Sequence, residues 1–242
     1  MSTKRICLWS GPRNISTALM YSFAQRPDTT VFDEPLYGYY LKQTIAKEYH
    51  PGAIEVMNSM ECDASKVVDF MMGDFDSEVV FFKNMCHHLL DLDTSFMQDT
   101  INLILTRHPA QVITSFSKEI PNPSLLDIGM KTQAELLKEL LDRKSHVLVI
   151  DSNELLKAPE QYLYLLFSKL NIPFYKEMLS WEIGPKSYDG PWAPHWYSNV
   201  HNSTGFQSYE EKALTVPEHL NDLLNEALPY YLELKKHSLT LV

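Results

Sequence analysis

The sequence predicts an α/β protein in three layers, with a central parallel sheet of about five strands flanked by helices. Short apolar runs recur at residues 6–9, 29–32, 78–83, 101–106 and 147–150. Each is bounded by turn or charged residues and shows no strict alternation, the pattern of strands buried on both faces. Stretches with helical spacing separate them, and strands joined by helices pair in parallel. Several of these runs end in turn chemistry or in charge: Ser10-Gly11-Pro12-Arg13, Asp33-Glu34-Pro35, Arg107-His108-Pro109 and Asp151. In open parallel sheets that carboxyl edge is where ligands bind.

Taken in order, residues 6–9 form the first strand, 10–14 a turn, and 15–25 a helix with Leu19, Met20 and Phe23 on one side. A strand, a tight loop and a helix present free backbone N–H groups to an anion. Arg13 adds a fixed charge, and Ser16 and Thr17 add hydroxyls at the helix start, so the stretch reads as a phosphate cradle. Residues 29–32 form the second strand, which Pro35 stops because it cannot donate to a ladder. Residues 36–49 are rich in Tyr and lean helical, Pro51-Gly52 breaks them, and 53–72 follow as one helix. The third strand, 78–83, runs on to His87 and His88; the fourth, 101–106, leads through Pro109 into a helix reaching Lys118. Leu136, Leu137, Leu140 and Leu141 give an amphipathic helix over 131–143, ahead of the fifth strand and a helix over 159–170. Residues 182–206 are rich in Gly, Pro and aromatic side chains, too long and too aromatic for a plain connection, and are expected to form a lid or substrate loop. Residues 209–236 follow as a pair of helices divided near Val216-Pro217.

Composition narrows the function. The 242 residues suffice for one sizeable core, and a single domain over 1–242 is expected. A net charge of -10 argues against a nucleic-acid or membrane-surface partner and makes any anion site a local basic pocket, with Arg13, Lys83 and Arg107 as its candidates. Cys7, Cys62 and Cys86 are odd in number and fit no zinc spacing. No disulfide framework is indicated, which favours a reducing compartment. Lys4 and Arg5 precede only a short apolar run, no stretch approaches the ~20 apolar residues of a membrane span, and a cytoplasmic location is expected. No Asp or His cluster has metal-ligand spacing, so no metal is expected.

The nucleotide-triphosphate P-loop requires a Gly-Lys pair before its Ser/Thr, and here Ile15 and Ser16 stand in those places. The stretch Gly11-Pro12-Arg13-Asn14-Ile15-Ser16-Thr17 resembles instead the phosphosulfate loop of sulfotransferases, Pro-Lys/Arg-Ser-Gly-Thr-Thr. Pro12, Arg13, Ser16 and Thr17 match it; Asn14 and Ile15 depart from it, and a β-branched Ile is poorly suited to positive φ. A second match follows the fourth strand, where Arg107, Pro109 and Ser115 fall as in the sulfotransferase pattern of Arg-x-Pro and a Ser eight residues after the Arg.

The resemblance implies a P-loop fold and PAPS (3′-phosphoadenosine 5′-phosphosulfate) as sulfuryl donor, used without a metal. It places the 5′-phosphosulfate on the first loop and the 3′-phosphate on Arg107 and Ser115. Phe32-Asp33-Glu34-Pro35-Leu36 is similar to the Phe-Glu-Pro-Leu of carbohydrate sulfotransferases, which makes Glu34 the expected base; Lys83 matches the Lys of the Lys-x-His of small-molecule sulfotransferases, with Met85 in the His position and His87 and His88 as displaced second choices. Arg13 and Lys83 are expected to stabilise charge on the leaving phosphate. Ser203, Thr204 and Gly205 stand where sulfotransferases close a segment over the cofactor. The acceptor is expected to be a small-molecule or carbohydrate hydroxyl or amine, and the oligomeric state stays open. Two other functions compete: an ATP-dependent phosphotransferase, and a nucleotide-binding protein without catalysis, the latter favoured by Ile15.

Overall fold

In a computed structural model, which describes residues 3–118, 120–207, 209 and 215–241, β1 (Lys4–Ser10), β2 (Thr29–Asp33), β3 (Val79–Met85), β4 (Ile101–Thr106) and β5 (Val147–Asp151) form one sheet. Their order is β2-β3-β1-β4-β5, with every pairing parallel. The register brings the functional ends level. Ser10 lies beside Met85 and Leu105, Asp33 beside Lys83, and Thr106 beside Asp151.

Successive residues of a strand point to opposite faces, and the core divides accordingly. Ile6, Leu8, Phe81 and Leu103 pack with Leu19, Phe23 and Phe167 on one face. Cys7, Trp9, Phe82 and Ile104 pack with Leu136, Leu140 and Leu234 on the other. Three layers follow, as the continuous apolar runs require.

The helices are α1 (Ser16–Phe23), α2 (Tyr37–Gln43), α3 (Ala53–Ser59), α4 (Ala64–Met72), α5 (Pro109–Phe116), α6 (Leu125–Ile128), α7 (Met130–Asp142), α8 (Ser152–Lys157), α9 (Pro159–Leu170), α10 (Ala193–Trp196), α11 (Ser198–His201) and α12 (Asn221–Lys236). The helix expected over 53–72 is two. Asp63 accepts from the N–H groups of Ser65 and Lys66 and so starts α4 afresh. Residues 36–49 likewise divide into α2 and a 3-10 turn, Ile45–Glu48, capped by Thr44. His87 and His88 lie in a 3-10 turn, Cys86–His88, that directly follows β3. The 182–206 segment carries α10 and α11, and Gly184 N–H donates to His201 C=O at 2.7 Å across its base. Of the terminal helical pair α12 is present; residues 210–214, on which the first partner was placed, lie outside the described residues.

Candidate active site

The turn from β1 to α1 is shaped by close backbone contacts. A Cβ on Gly11 would stand 3.0 Å from the Ile128 carbonyl oxygen. The left-handed residue of the turn is Arg13, at φ +55°, whereas Ile15 sits at φ -89°. The β-branched side chain therefore meets no backbone conflict, and the departure at position 15 is accommodated. Asn14 has a role of its own: its Nδ2 donates to the Leu105 carbonyl at 2.9 Å and its Oδ1 accepts from Ile15 N–H at 2.9 Å, pinning the loop to the end of β4. α1 has neither a side-chain cap nor an acid in its first turn among the described residues. Its first N–H groups face the cleft with a partial positive charge.

Arg107 reaches this loop from the end of β4. Its Nη1 donates to the Arg13 carbonyl at 2.8 Å and its Nε to Gln111 Oε1 at 3.1 Å. Arg13 Nε donates in turn to Ser115 Oγ on α5 at 3.0 Å. The two motifs, about ninety residues apart in sequence, thus form one basic wall. Burial, then the neighbouring Arg13, lowers the pKa of Arg107. An anion here meets two guanidinium groups and an open helix start, so the residues fit a phosphate.

The carboxylates stand at the end of β2. Lys83 is 1% exposed, and its ammonium donates to Asp33 Oδ1 at 2.9 Å, to Tyr197 Oη at 2.7 Å and to Glu34 Oε1. All three of its N–H bonds are spent, so its charge serves Glu34 and Asp33 rather than standing free. Glu34 takes φ +45°, and its N–H donates to the Lys83 carbonyl at 2.7 Å. Burial raises the Glu34 carboxyl above the usual carboxylate range, Lys83 opposes that shift, and Asp33 adds to it. Burial works against the Lys83 charge as well, but Asp33 and Glu34 outweigh it and hold the ammonium protonated.

His88 is buried with its Nε2 4.0 Å from Glu34 Oε2, beyond hydrogen-bond reach. Its ring stacks on Tyr37 and Tyr40, with centroids 5.1 and 4.7 Å away, and His87 lies 4.6 Å from it. Burial lowers both imidazoles, His87 to about 4 and His88 well below its ordinary value, so both are neutral at pH 7. Neither Nδ1 has a partner among the described residues. Tyr37 Oη meets His50 Nδ1 at 2.7 Å, and Trp192 packs edge-on to Tyr37 at 4.9 Å.

One cleft of about 1670 Å³ joins these parts. Gly11 through Thr17, Arg107 and Ser115 line one end; Glu34 and Lys83 follow; Tyr37, Tyr40, His50, His87, His88 and Trp196 line the other end. Ser203 and Gly205 also reach the wall, but as ties. Ser203 Oγ accepts from Trp181 Nε1 at 3.2 Å, and a Cβ on Gly205 would stand 2.7 Å from the Leu179 carbonyl oxygen. Thr204 is exposed and gives its carbonyl to Trp181 N–H at 3.1 Å; it is absent from the cleft wall. Sequence reasoning did not single out His50, Gln111, or Tyr197 as a partner of Lys83. Only the Tyr-rich and Trp-rich stretches around them carried a signal. Among the described residues no three His, Cys, Asp or Glu side chains are grouped to hold a metal, and no helix is long and apolar enough to cross a membrane.

A parallel sheet with an Arg-bearing turn after its first strand and a second Arg after its fourth defines an α/β fold with a basic carboxyl edge. The chain belongs to the sulfotransferase domain family, whose model matches residues 4–238. Two Arabidopsis thaliana proteins, branched-chain-amino-acid aminotransferase-like proteins 1 and 2, are 41% and 40% identical over 231 residues, 95% of this chain. The chain spans 41% of the length of either. In fold it is similar to a sulfotransferase from Alicyclobacillus acidocaldarius, at 12% identity and a TM-score of 0.55, with 98% of this chain and 96% of that one covered.

Proposed function

We propose that the chain moves a sulfuryl group from PAPS to a hydroxyl or amine of a small acceptor. The observation that carries this reading is the joined basic wall, in which Arg107 holds the Arg13 carbonyl and Arg13 holds Ser115. A donor with phosphate at both its 3′ and 5′ positions needs two such anchors in one cleft. The α1 start, Arg13, Ser16 and Thr17 would hold the 5′ end, and Arg107 with Ser115 the 3′-phosphate. When bound, PAPS supplies the activated sulfuryl group.

Glu34 would take the acceptor's proton through Oε2, the oxygen that Lys83 leaves free. Burial makes this carboxylate a stronger base than an exposed one, and the Lys83 ammonium opposes that shift and favours the ionised form. Neutral His88 stands on the Glu34 Oε2 side, but burial and the Lys83 charge make its imidazole a weak base, which leaves the proton to Glu34.

The test is calorimetry with adenosine 3′,5′-bisphosphate against AMP, and with ATP in a parallel titration, with and without Mg²⁺, on the wild type and on Arg107→Ala. Expected is metal-independent binding that prefers the bisphosphate and weakens roughly 10- to 100-fold in the variant, the size of a lost charged hydrogen bond. Binding that requires Mg²⁺ and prefers ATP would overturn this reading in favour of phosphoryl transfer. Once an acceptor is in hand, Glu34→Gln is expected to lower kcat by about 10²- to 10⁴-fold while leaving bisphosphate binding intact.

A further inference from the structure

We propose that the acceptor is an amino alcohol with an apolar, ring-bearing body, and that the far half of the cleft turns away acceptors carrying carboxylate or sulfate. The inference rests on the sulfuryl-transfer reading and concerns the half of the cleft beyond Glu34.

Charge segregates along the cleft. Arg13 and Arg107 stand at the donor end, and Lys118 lines the wall one turn beyond Ser115. Beyond Glu34 the charged side chain of the described wall is Asp127, on α6, since the Lys83 ammonium is matched by Asp33 and Glu34. The field of Asp127 reaches Tyr40, Tyr49, His50 and His87. The three histidines of this half are biased by burial toward the neutral form and add no opposing charge. A carboxylate or sulfate entering here meets like charge on two sides; an ammonium meets Glu34, Asp127 and aromatic faces.

The mouth is apolar. Ile45 is 71% exposed, Tyr49 54% and Leu126 66%; the first two stand at the start and end of the 3-10 turn after α2, the third on α6, and all three line the same opening. Isolated exposed apolar residues are ordinary; three converging on one cleft mouth mark a ligand body that leans on them. Deeper in, His88 is 1% exposed, lines the wall, and has an Nδ1 without a partner among the described residues. A buried polar atom calls for a hydrogen bond, which a hydroxyl or amino head can supply. A densely hydroxylated, anionic sugar matches neither the rim nor the charge.

The test uses protein saturated with adenosine 3′,5′-bisphosphate, titrated with three alcohols that share a phenyl body: 2-amino-3-phenylpropan-1-ol, 3-phenylpropan-1-ol and 3-phenyllactate. Expected is tightest binding of the amino alcohol, roughly three- to tenfold over the neutral alcohol, with the lactate weakest. Asp127→Asn keeps an acceptor for the Ser124 N–H that Asp127 caps, and is expected to bring the amino alcohol toward the neutral one. Equal binding of all three, preference for the lactate, or binding of none overturns the inference. Loading with the bisphosphate is read in the same experiment. If it fails, the sulfuryl-transfer reading falls and takes this inference with it; if loading succeeds without discrimination among the alcohols, this inference alone falls.

Discussion

The Tyr197 hydroxyl lies 2.7 Å from the Lys83 ammonium and 2.7 Å from Asp33 Oδ2, so the 182–206 segment completes an ion pair formed between adjacent strands. Trp192 Nε1 donates to the same hydroxyl at 3.0 Å, and Gly190 N–H donates to Asp33 Oδ2 at 3.0 Å. A buried charge cluster is stable only when its hydrogen bonds are complete. The segment and the carboxylates at the strand end therefore form one unit.

Tyr197→Phe leaves Lys83 one acceptor short and Trp192 without a partner for its N–H, at constant ring packing. The expected loss is roughly 1–3 kcal/mol of unfolding free energy, read as a lower urea midpoint at unchanged slope. An unchanged midpoint would show that water replaces the hydroxyl without cost.

His87 sets a pH dependence of stability. Burial lowers its folded pKa to about 4, while in the unfolded chain it titrates near its ordinary 6.5. The unfolded state then binds more protons between those values, so stability falls as pH drops from 6.5 toward 4. The ring keeps partial solvent contact, so the expected loss between pH 7 and pH 5 is about 1–2 kcal/mol. Glu34 acts in the opposite sense, because its raised folded pKa gains protons first. His87→Phe should reduce the slope of the urea-midpoint profile between pH 7 and 5, with His88 and His50, whose folded pKa values are also lowered, supplying the rest; an unaltered slope would place the acid sensitivity elsewhere.

Gly11→Ala tests the fit of the phosphate loop. The added methyl would stand 3.0 Å from a backbone oxygen, Ile128 O, which has no side-chain freedom with which to retreat. Thermal unfolding should report a loss of about 1–3 kcal/mol, and bisphosphate binding should weaken with it as the loop and α6 are pushed apart. Unaltered affinity would show that the loop can shift as a body.

The strands were legible because parallel strands buried on both faces leave uninterrupted apolar runs; Ile101–Thr106 and Pro159–Leu170 fall where their patterns place them. The division of 53–72 was missed because Asp63 and Ser65 look like surface polar residues until the carboxylate is seen capping α4. In the site, the order of the two basic motifs could be read directly, and the fold brings them together. The engagement of Lys83 could not, since it depends on the register that sets Asp33 beside it and on Tyr197, 114 positions away. His50 carried no motif; only the tertiary contact with Tyr37 places it at the site.

Arg13 and Glu34 both hold left-handed backbone angles, φ +55° and +45°, without being glycine. Such a conformation costs a residue with a Cβ about 1–2 kcal/mol. The guanidinium and the carboxylate proposed to act on donor and acceptor are thus held at two of the five described non-glycine positions with left-handed backbone, the others being Asp91, Lys144 and Asn171. Selection for heat resistance alone would favour glycine at Arg13, where relief of the strain is set against a hydrogen bond to Ser115, but not at Glu34, whose loss would leave the buried Lys83 ammonium short of a partner; persistence of an arginine at the first turn is therefore a mark of working chemistry that any set of descendants can be asked to show.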